Sequence, residues 1–124
     1  MISNHLYWYS AKLIRVVDGD TIDLELDLGL RHAFRDRFRL CQQAGELFDT
    51  PEVRGPSRDR GLEAKAFVED WIADQAAGLV CRTHQDRRGK YGRWLADLLN
   101  ATSGERLTDR LLAAGLATTK RINR

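Results

Sequence analysis

Three short stretches of the chain carry side chains of the kinds that handle phosphate, protons or hard metal ions. They are Asp18-Gly19-Asp20-Thr21, Asp49-Thr50-Pro51-Glu52 and Lys90-Tyr91-Gly92-Arg93, the last preceded by Asp86, Arg87 and Arg88. Each alone also reads as an ordinary turn: Asp and Gly form hairpins, Pro fixes a bend, and a charged hairpin tip is solvated. Together they offer several carboxylate oxygens on short turns, the ligand set that Ca²⁺ or Mg²⁺ prefers. The spacing does not match an EF-hand loop, because Gly separates the two Asp and Gly29 falls where the twelfth-position Glu would stand. A metal, a free carboxylate and two arginines are the means of phosphodiester hydrolysis. The cations offset charge on a pentavalent phosphorane, and the carboxylate takes a proton from the attacking water.

The elements that must hold these residues follow from periodicity. Residues 11–17 predict a strand ending at the Asp18-Gly19-Asp20 turn, and Ile22, Leu24, Leu26 and Leu28 alternate with Asp23, Glu25 and Asp27 as in a half-buried second strand. Phe34, Phe38 and Leu40 against Arg31, Arg35, Arg37 and Arg39 predict a third strand with an arginine face, interrupted by Asp36. Residues 53–61 carry Gly, Pro, Ser and Arg without periodicity and read as a mobile basic loop. A helix over about residues 60–77 follows from Ala64, Phe67, Val68, Trp71 and Ile72, stopped by Gly78. Residues 79–83 and 94–99 read as two further strands, the second beginning just after Arg93. Thr108 and Asp109 read as caps of a short last helix ended by Gly115. Three strands, a helix, two strands and a helix make an α+β domain on a strongly coiled five-stranded antiparallel sheet, of the kind that closes into an OB-type barrel.

Composition sets the outer bounds. At 124 residues, 43% hydrophobic and 31% charged, with 10 Gly and 2 Pro, the chain fits one ordered globular domain over residues 1–124 and not a disordered or fibrous polymer. No apolar run nears the roughly 20 residues of a membrane span, and the first ten residues lack a signal-peptide pattern, so a cytoplasmic protein without membrane contact is expected. Cys41 and Cys81 stand far apart with no metal-ligand spacing and are expected to be reduced, buried thiols. The net charge of +2 does not itself mark a nucleic-acid binder. Of the 20 cations, however, 16 are Arg, whose planar fork grips phosphate with two hydrogen bonds.

Taken in order, VVDGDTIDLELDLG, FRL, DTPEVRG, GLEAKAF, KYGRWLADL and LLAAGLA resemble the staphylococcal nuclease (thermonuclease) family, especially its short phage- and plasmid-borne members, over about residues 11–120. The resemblance implies an OB-fold barrel with two to three helices packed on it. It also implies a Ca²⁺-dependent, sugar-nonspecific endonuclease that cleaves DNA and RNA to leave 3′-phosphates, with Mg²⁺ the less favoured ion. By motif, Asp20, Asp49 and the Thr50 carbonyl would hold the metal, with Asp18 acting on it through those ligands. Glu52 would be the general base, Arg39 and Arg93 the phosphate ligands, and Lys90 and Tyr91 contacts to a flanking phosphate or nucleotide. Two departures stand out. The extra stretch CQQAGELF separates Arg39-Leu40 from Asp49, which leaves Arg37 as an alternative to Arg39. The tyrosines that some members place on the base are not found after Gly115-Leu116-Ala117; Tyr7, Trp8 and Tyr9 are alternatives for stacking, or pack as an edge strand.

The expectation is therefore a small metal-dependent phosphodiesterase, monomeric or weakly self-associating, acting on DNA or RNA. Its rivals are a noncatalytic nucleic-acid-binding barrel impaired by the insertion and a protein-interaction domain of the same fold. Residues 41–48 decide between the first two: they must leave the sheet as a loop or bulge and return Asp49 beside Asp20. A one-residue slip in register would instead scatter the site.

Overall fold

A computed structural model describes residues 6–86 and 93–119. Its frame is a closed barrel in the order β1 (Trp8–Asp18), β2 (Thr21–Gly29), β3 (His32–Leu40), β6 (Trp94–Asn100) and β5 (Leu79–Gln85). Helix α1 (Arg58–Ala73) crosses between β3 and β5, α2 (Leu107–Ala113) follows β6, and a two-residue β4 (Phe48–Asp49) pairs with β7 (Thr118–Thr119). The α+β barrel agrees with the sequence reading. The purely antiparallel sheet does not, because β3 and β6 run parallel, with Phe38 opposite Trp94 and Leu40 opposite Ala96. The reason is topological: strand directions cannot alternate all the way round a ring of five, so one neighbouring pair must be parallel.

The period-2 pattern places Ile22, Leu24 and Leu26 inside, joined by Phe38, Leu40, Cys81, Ala96 and Leu98. The apolar parity expected for β3 holds at Phe38 and Leu40 and fails at Phe34, which is 37% exposed, because the β2–β3 hairpin runs past the packed interior to Leu28 and a fully exposed Leu30. Helix α1 presents Gly61, Ala64, Val68 and Trp71 to the barrel, and the Trp71 indole donates to Glu105 Oε1 at 2.8 Å.

Three boundaries differ from the sequence expectation. Strand β1 starts at Trp8, because residues 8–11 pair with β5. Residues 58–61, expected in the mobile loop, form the first turn of α1, which ends at Ala73 and not near residue 77, where the Gln75 side chain donates to the Trp71 carbonyl. Thr108 is not a cap: it is buried inside α2, and Arg106 holds the N-cap position. There the Arg106 guanidinium pairs at 2.7 Å with the buried Asp97. Cys41 and Cys81 are free and buried, and burial, with Asp97 nearby, pushes the Cys41 thiol up to about 12. Among the described residues no helix is long and apolar enough to cross a membrane.

Candidate functional site

The β1–β2 turn is fixed from three sides. Asp18 pairs with Thr21, the Leu40 N–H donates to the Asp20 carbonyl at 2.8 Å, and Gly19 lies against the side chains of Thr50 and Ala64. A Cβ at Gly19 would stand 2.9 Å from both Thr50 Oγ1 and Ala64 Cβ, so the turn, the segment after β4 and helix α1 meet where only glycine fits.

Residues 41–47 form the loop that this meeting requires. The Cys41 N–H still donates to the Ala96 carbonyl on the barrel, but Gln42 then closes the excursion on itself. Its N–H donates to the Glu46 carbonyl at 2.8 Å and its side chain to the Leu47 carbonyl at 2.9 Å. Ala44 and Gly45 turn the chain with φ of +66° and +81°, and Gly45 rests on the His84 ring. Phe48 then re-enters the core, fully buried, and β7 holds the segment through the Asp49–Thr118 pair. The extra residues are absorbed locally and no register slip follows.

One cavity of about 250 Å³ gathers Asp18, Asp20, Arg39, Asp49, Thr50, Glu52 and Arg93. Arg39, 12% exposed, donates from Nη2 to Asp49 Oδ1 at 2.7 Å and to the Phe48 carbonyl at 2.9 Å. The same nitrogen lies 4.0 Å from Asp20 Oδ2, so the two carboxylates converge on one point of positive charge. Asp20 accepts from Thr21 Oγ1 at 3.0 Å and from the Thr50 N–H. Burial nevertheless raises its carboxyl above the ordinary range, against the pull of Arg39. Among the described residues, three buried polar atoms of this cavity have no hydrogen-bond partner: Asp18 Oδ1, Arg39 Nε and Thr50 Oγ1. Such atoms cost stability unless something binds them.

Glu52 is exposed at the cavity edge. Its backbone is held tightly: Ser57 Oγ donates to its carbonyl at 3.3 Å, and a Cβ at Gly61 would overlap that carbonyl outright. Arg93 directly precedes β6, its carbonyl accepting from the Asp86 N–H at 2.9 Å. Its half-exposed guanidinium is 3.7 Å from the buried Asp86 carboxylate. Lys90 and Tyr91 lie outside the described residues.

Arg37, the alternative to Arg39, is engaged elsewhere, reaching Asp23 with two hydrogen bonds of 2.8 and 3.2 Å on the outer face of the hairpin. Of the amino-terminal aromatics, Tyr7 has its ring face covered by the Arg82 guanidinium at 5.2 Å, and Tyr9 packs against the core. Sequence reasoning missed the β4–β7 pair that steadies Asp49, since two threonines carry no strand period.

The donors in the cavity are all hard oxygens. Asp20 and Asp49, with backbone carbonyl and water oxygens, would be of the donor types that Ca²⁺ takes. The partnerless Asp18 Oδ1 and Thr50 Oγ1 beside them, with the burial of Asp20, fit a site completed by a cation and its water. Among the described residues no three His, Cys, Asp or Glu side chains cluster as a metal site, so these two carboxylates would need backbone and water oxygens to complete the shell. In comparisons with known proteins, no family model and no curated protein matches the chain.

Proposed function

We propose that the chain is a Ca²⁺-dependent, sugar-nonspecific endonuclease that hydrolyses phosphodiester bonds of DNA and RNA to leave 3′-phosphates. The observation that carries this reading is the convergence of Asp20, Asp49, Glu52, Arg39 and Arg93 on one cavity from four separate parts of the chain. A binding module needs the arginines and has no use for the carboxylates, which repel phosphate. The closed strand order β1-β2-β3-β6-β5 fits an OB-fold barrel. The two free thiols suit a reducing compartment, so we place the activity in the cytoplasm.

Asp20, Asp49 and the Thr50 carbonyl would hold the ion, with Asp18 supporting them through its partnerless oxygen. When bound, Ca²⁺ supplies positive charge against the phosphoryl oxygens. Glu52, exposed at the edge, is the carboxylate placed to take a proton from water attacking phosphorus. Arg39 is anchored through Nη2 by Asp49 and the Phe48 carbonyl, which fixes its guanidinium at the cavity wall where it would meet a phosphoryl oxygen. Arg93 approaches from the start of β6, the strand beside β3, and the two guanidinium groups offset the charge that grows on the phosphorane. Water's oxygen bonds to phosphorus as the P–O5′ bond breaks, the 5′ oxygen takes a proton from solvent water, and the phosphate remains on the 3′ side.

Glu52→Gln preserves shape and hydrogen-bonding reach but not the ability to accept a proton, so cleavage of single-stranded DNA in Ca²⁺ should slow by about 10²–10⁴. Circular dichroism should show an unchanged fold. A rate within a few-fold of the parent would remove Glu52 from the mechanism and favour the noncatalytic binding module.

A further inference from the structure

Residues 39–42, at the exit of β3, tie both carboxylates of the proposed metal site to the barrel. The Leu40 N–H donates to the Asp20 carbonyl at 2.8 Å and the Cys41 N–H to the Ala96 carbonyl at 2.9 Å, so the Asp20 turn is fixed where β3 ends. The other two residues reach across to the segment that carries Asp49. Arg39 Nη2 donates to the Phe48 carbonyl at 2.9 Å and Gln42 Nε2 to the Leu47 carbonyl at 2.9 Å, so two successive carbonyls just before Asp49 are gripped from one short stretch. Gln42 also closes the loop on itself, its N–H donating to the Glu46 carbonyl at 2.8 Å and its own carbonyl accepting from the Gly45 N–H at 3.1 Å. Between these bonds Ala44 is held at φ +66°, a conformation unfavourable for a residue with a Cβ, which persists only while its surroundings impose it.

We propose that Gln42 is a positioning residue for the metal site: its side-chain amide fixes the chain entering Asp49 relative to the barrel-bound Asp20, and so sets the affinity for Ca²⁺. The proposal rests on the Ca²⁺ reading of the cavity and deepens it. Gln42 is not part of the cavity wall, so it acts through the backbone of residues 47–49. Ligands that share one ion must be held within about 0.5 Å of their places, which demands a fixed approach to Asp49. Burial of Phe48 anchors its ring but leaves the peptide planes beside it free to tilt. Arg39 restrains one of those planes with the same nitrogen that holds Asp49 Oδ1, and a cation arriving at Asp49 competes for that carboxylate. The Gln42 bond is the restraint that the ion does not disturb. Without it the loop is ordered only as Ca²⁺ binds, and the entropy lost in that ordering lowers the affinity.

The test is the Ca²⁺ affinity of the full chain without substrate, by titration calorimetry. Gln42→Met keeps the length of the side chain and removes the donor, and should weaken Ca²⁺ binding about tenfold, the equivalent of one intramolecular hydrogen bond. Gln42→Asn keeps the amide but falls one methylene short of Leu47, and should weaken it to a smaller degree. Asn100→Ala is the control. It opens a turn at the far end of β6, where Asn100 Oδ1 accepts from the Thr102 and Ser103 N–H groups at 2.8 and 2.7 Å. It should bind Ca²⁺ within about twofold of the parent, because distant sites act independently. In cleavage the Gln42 variants should need correspondingly more Ca²⁺ for half-maximal rate and approach the parent rate when Ca²⁺ saturates. Loss of folded protein lowers the rate at every Ca²⁺ concentration and does not produce this split. If both Gln42 variants bind Ca²⁺ as the parent does, or Asn100→Ala loses as much affinity as they do, the proposal is overturned and the nuclease reading stands. A parent that binds no Ca²⁺ overturns both.

Discussion

On the outer face of the β2–β3 hairpin, Arg35 and Arg37 lie opposite Glu25 and Asp23 in register, and each pair closes on itself in solvent at 2.7 and 2.8 Å. Two residues further along the same strand, Arg39 meets Asp49 and Asp20 in a setting where Arg39 and Asp20 have lost most of their water and Asp49 stays half exposed. The residue types are the same, but the surroundings shift the two aspartates in opposite directions. The Arg37 hydrogen bond holds the Asp23 carboxyl below its ordinary range, while burial holds Asp20 above it. The outer pairs are satisfied and need nothing more. The inner group keeps partnerless atoms on Asp18, Arg39 and Thr50, and that deficit is what a ligand can repair. An arginine–carboxylate pair thus points to chemistry when burial leaves it incomplete, and not by its presence alone.

Breaking one carboxylate in each region makes the contrast measurable. Asp20→Asn removes a charge proposed to hold the ion, which is worth several kcal/mol to the transition state, so cleavage in Ca²⁺ should fall by about 10²–10³. Asp23→Asn opens an exposed pair and should leave the rate within about twofold of the parent, measured on the same oligonucleotide. Equal rates for the two variants would erase the distinction between the faces.

The contribution of the arginine fork is the next largest effect. Arg93→Lys keeps the positive charge and loses the two-pronged grip, so turnover should drop about tenfold while KM changes less. A rise in KM at constant turnover would make Arg93 a binding residue only.

The smallest effect belongs to the ring beneath the 41–48 loop. Burial lowers the His84 pKa below the ordinary value of 6.5, its Nε2 is partnerless, and Gly45 packs on it. The unfolded chain therefore takes up this proton more readily than the folded one does. Stability is retained above pH 6.5 and declines as pH falls through that value towards the folded pKa. In urea melts His84→Gln should lose less stability than the parent between neutral and mildly acidic pH. An unchanged slope would show that the ring titrates freely.

The barrel was largely legible because Ile22, Leu24 and Leu26 alternate with Asp23 and Glu25, and a period of two has one structural meaning. Its closure was not, since the parallel β3–β6 pair follows from the ring having five strands and from no local signal. The two carboxylate turns were visible as short motifs. Arg39 could not be told from Arg37 by pattern, because both fall on one parity of β3, and the difference is how near each lies to the barrel end where the Asp20 turn is sewn to Leu40. The return of residues 41–48 was legible as a requirement but not as a path. The path depends on positive φ at Ala44, which is not a turn-forming residue type, and on side-chain bonds from Gln42. The β4–β7 pair left no trace, being two residues long.

The central claim is that the incomplete inner cluster, once it holds a cation, cuts phosphodiester bonds. Single-stranded DNA incubated with the protein in Ca²⁺, in EGTA, and in EGTA followed by excess Ca²⁺, with the product ends mapped, tests it directly. The account predicts cleavage in Ca²⁺ that is lost in EGTA, recovers when Ca²⁺ is restored, and leaves 3′-phosphate ends. Cleavage that persists unchanged in EGTA, or intact DNA under all three conditions, would contradict it.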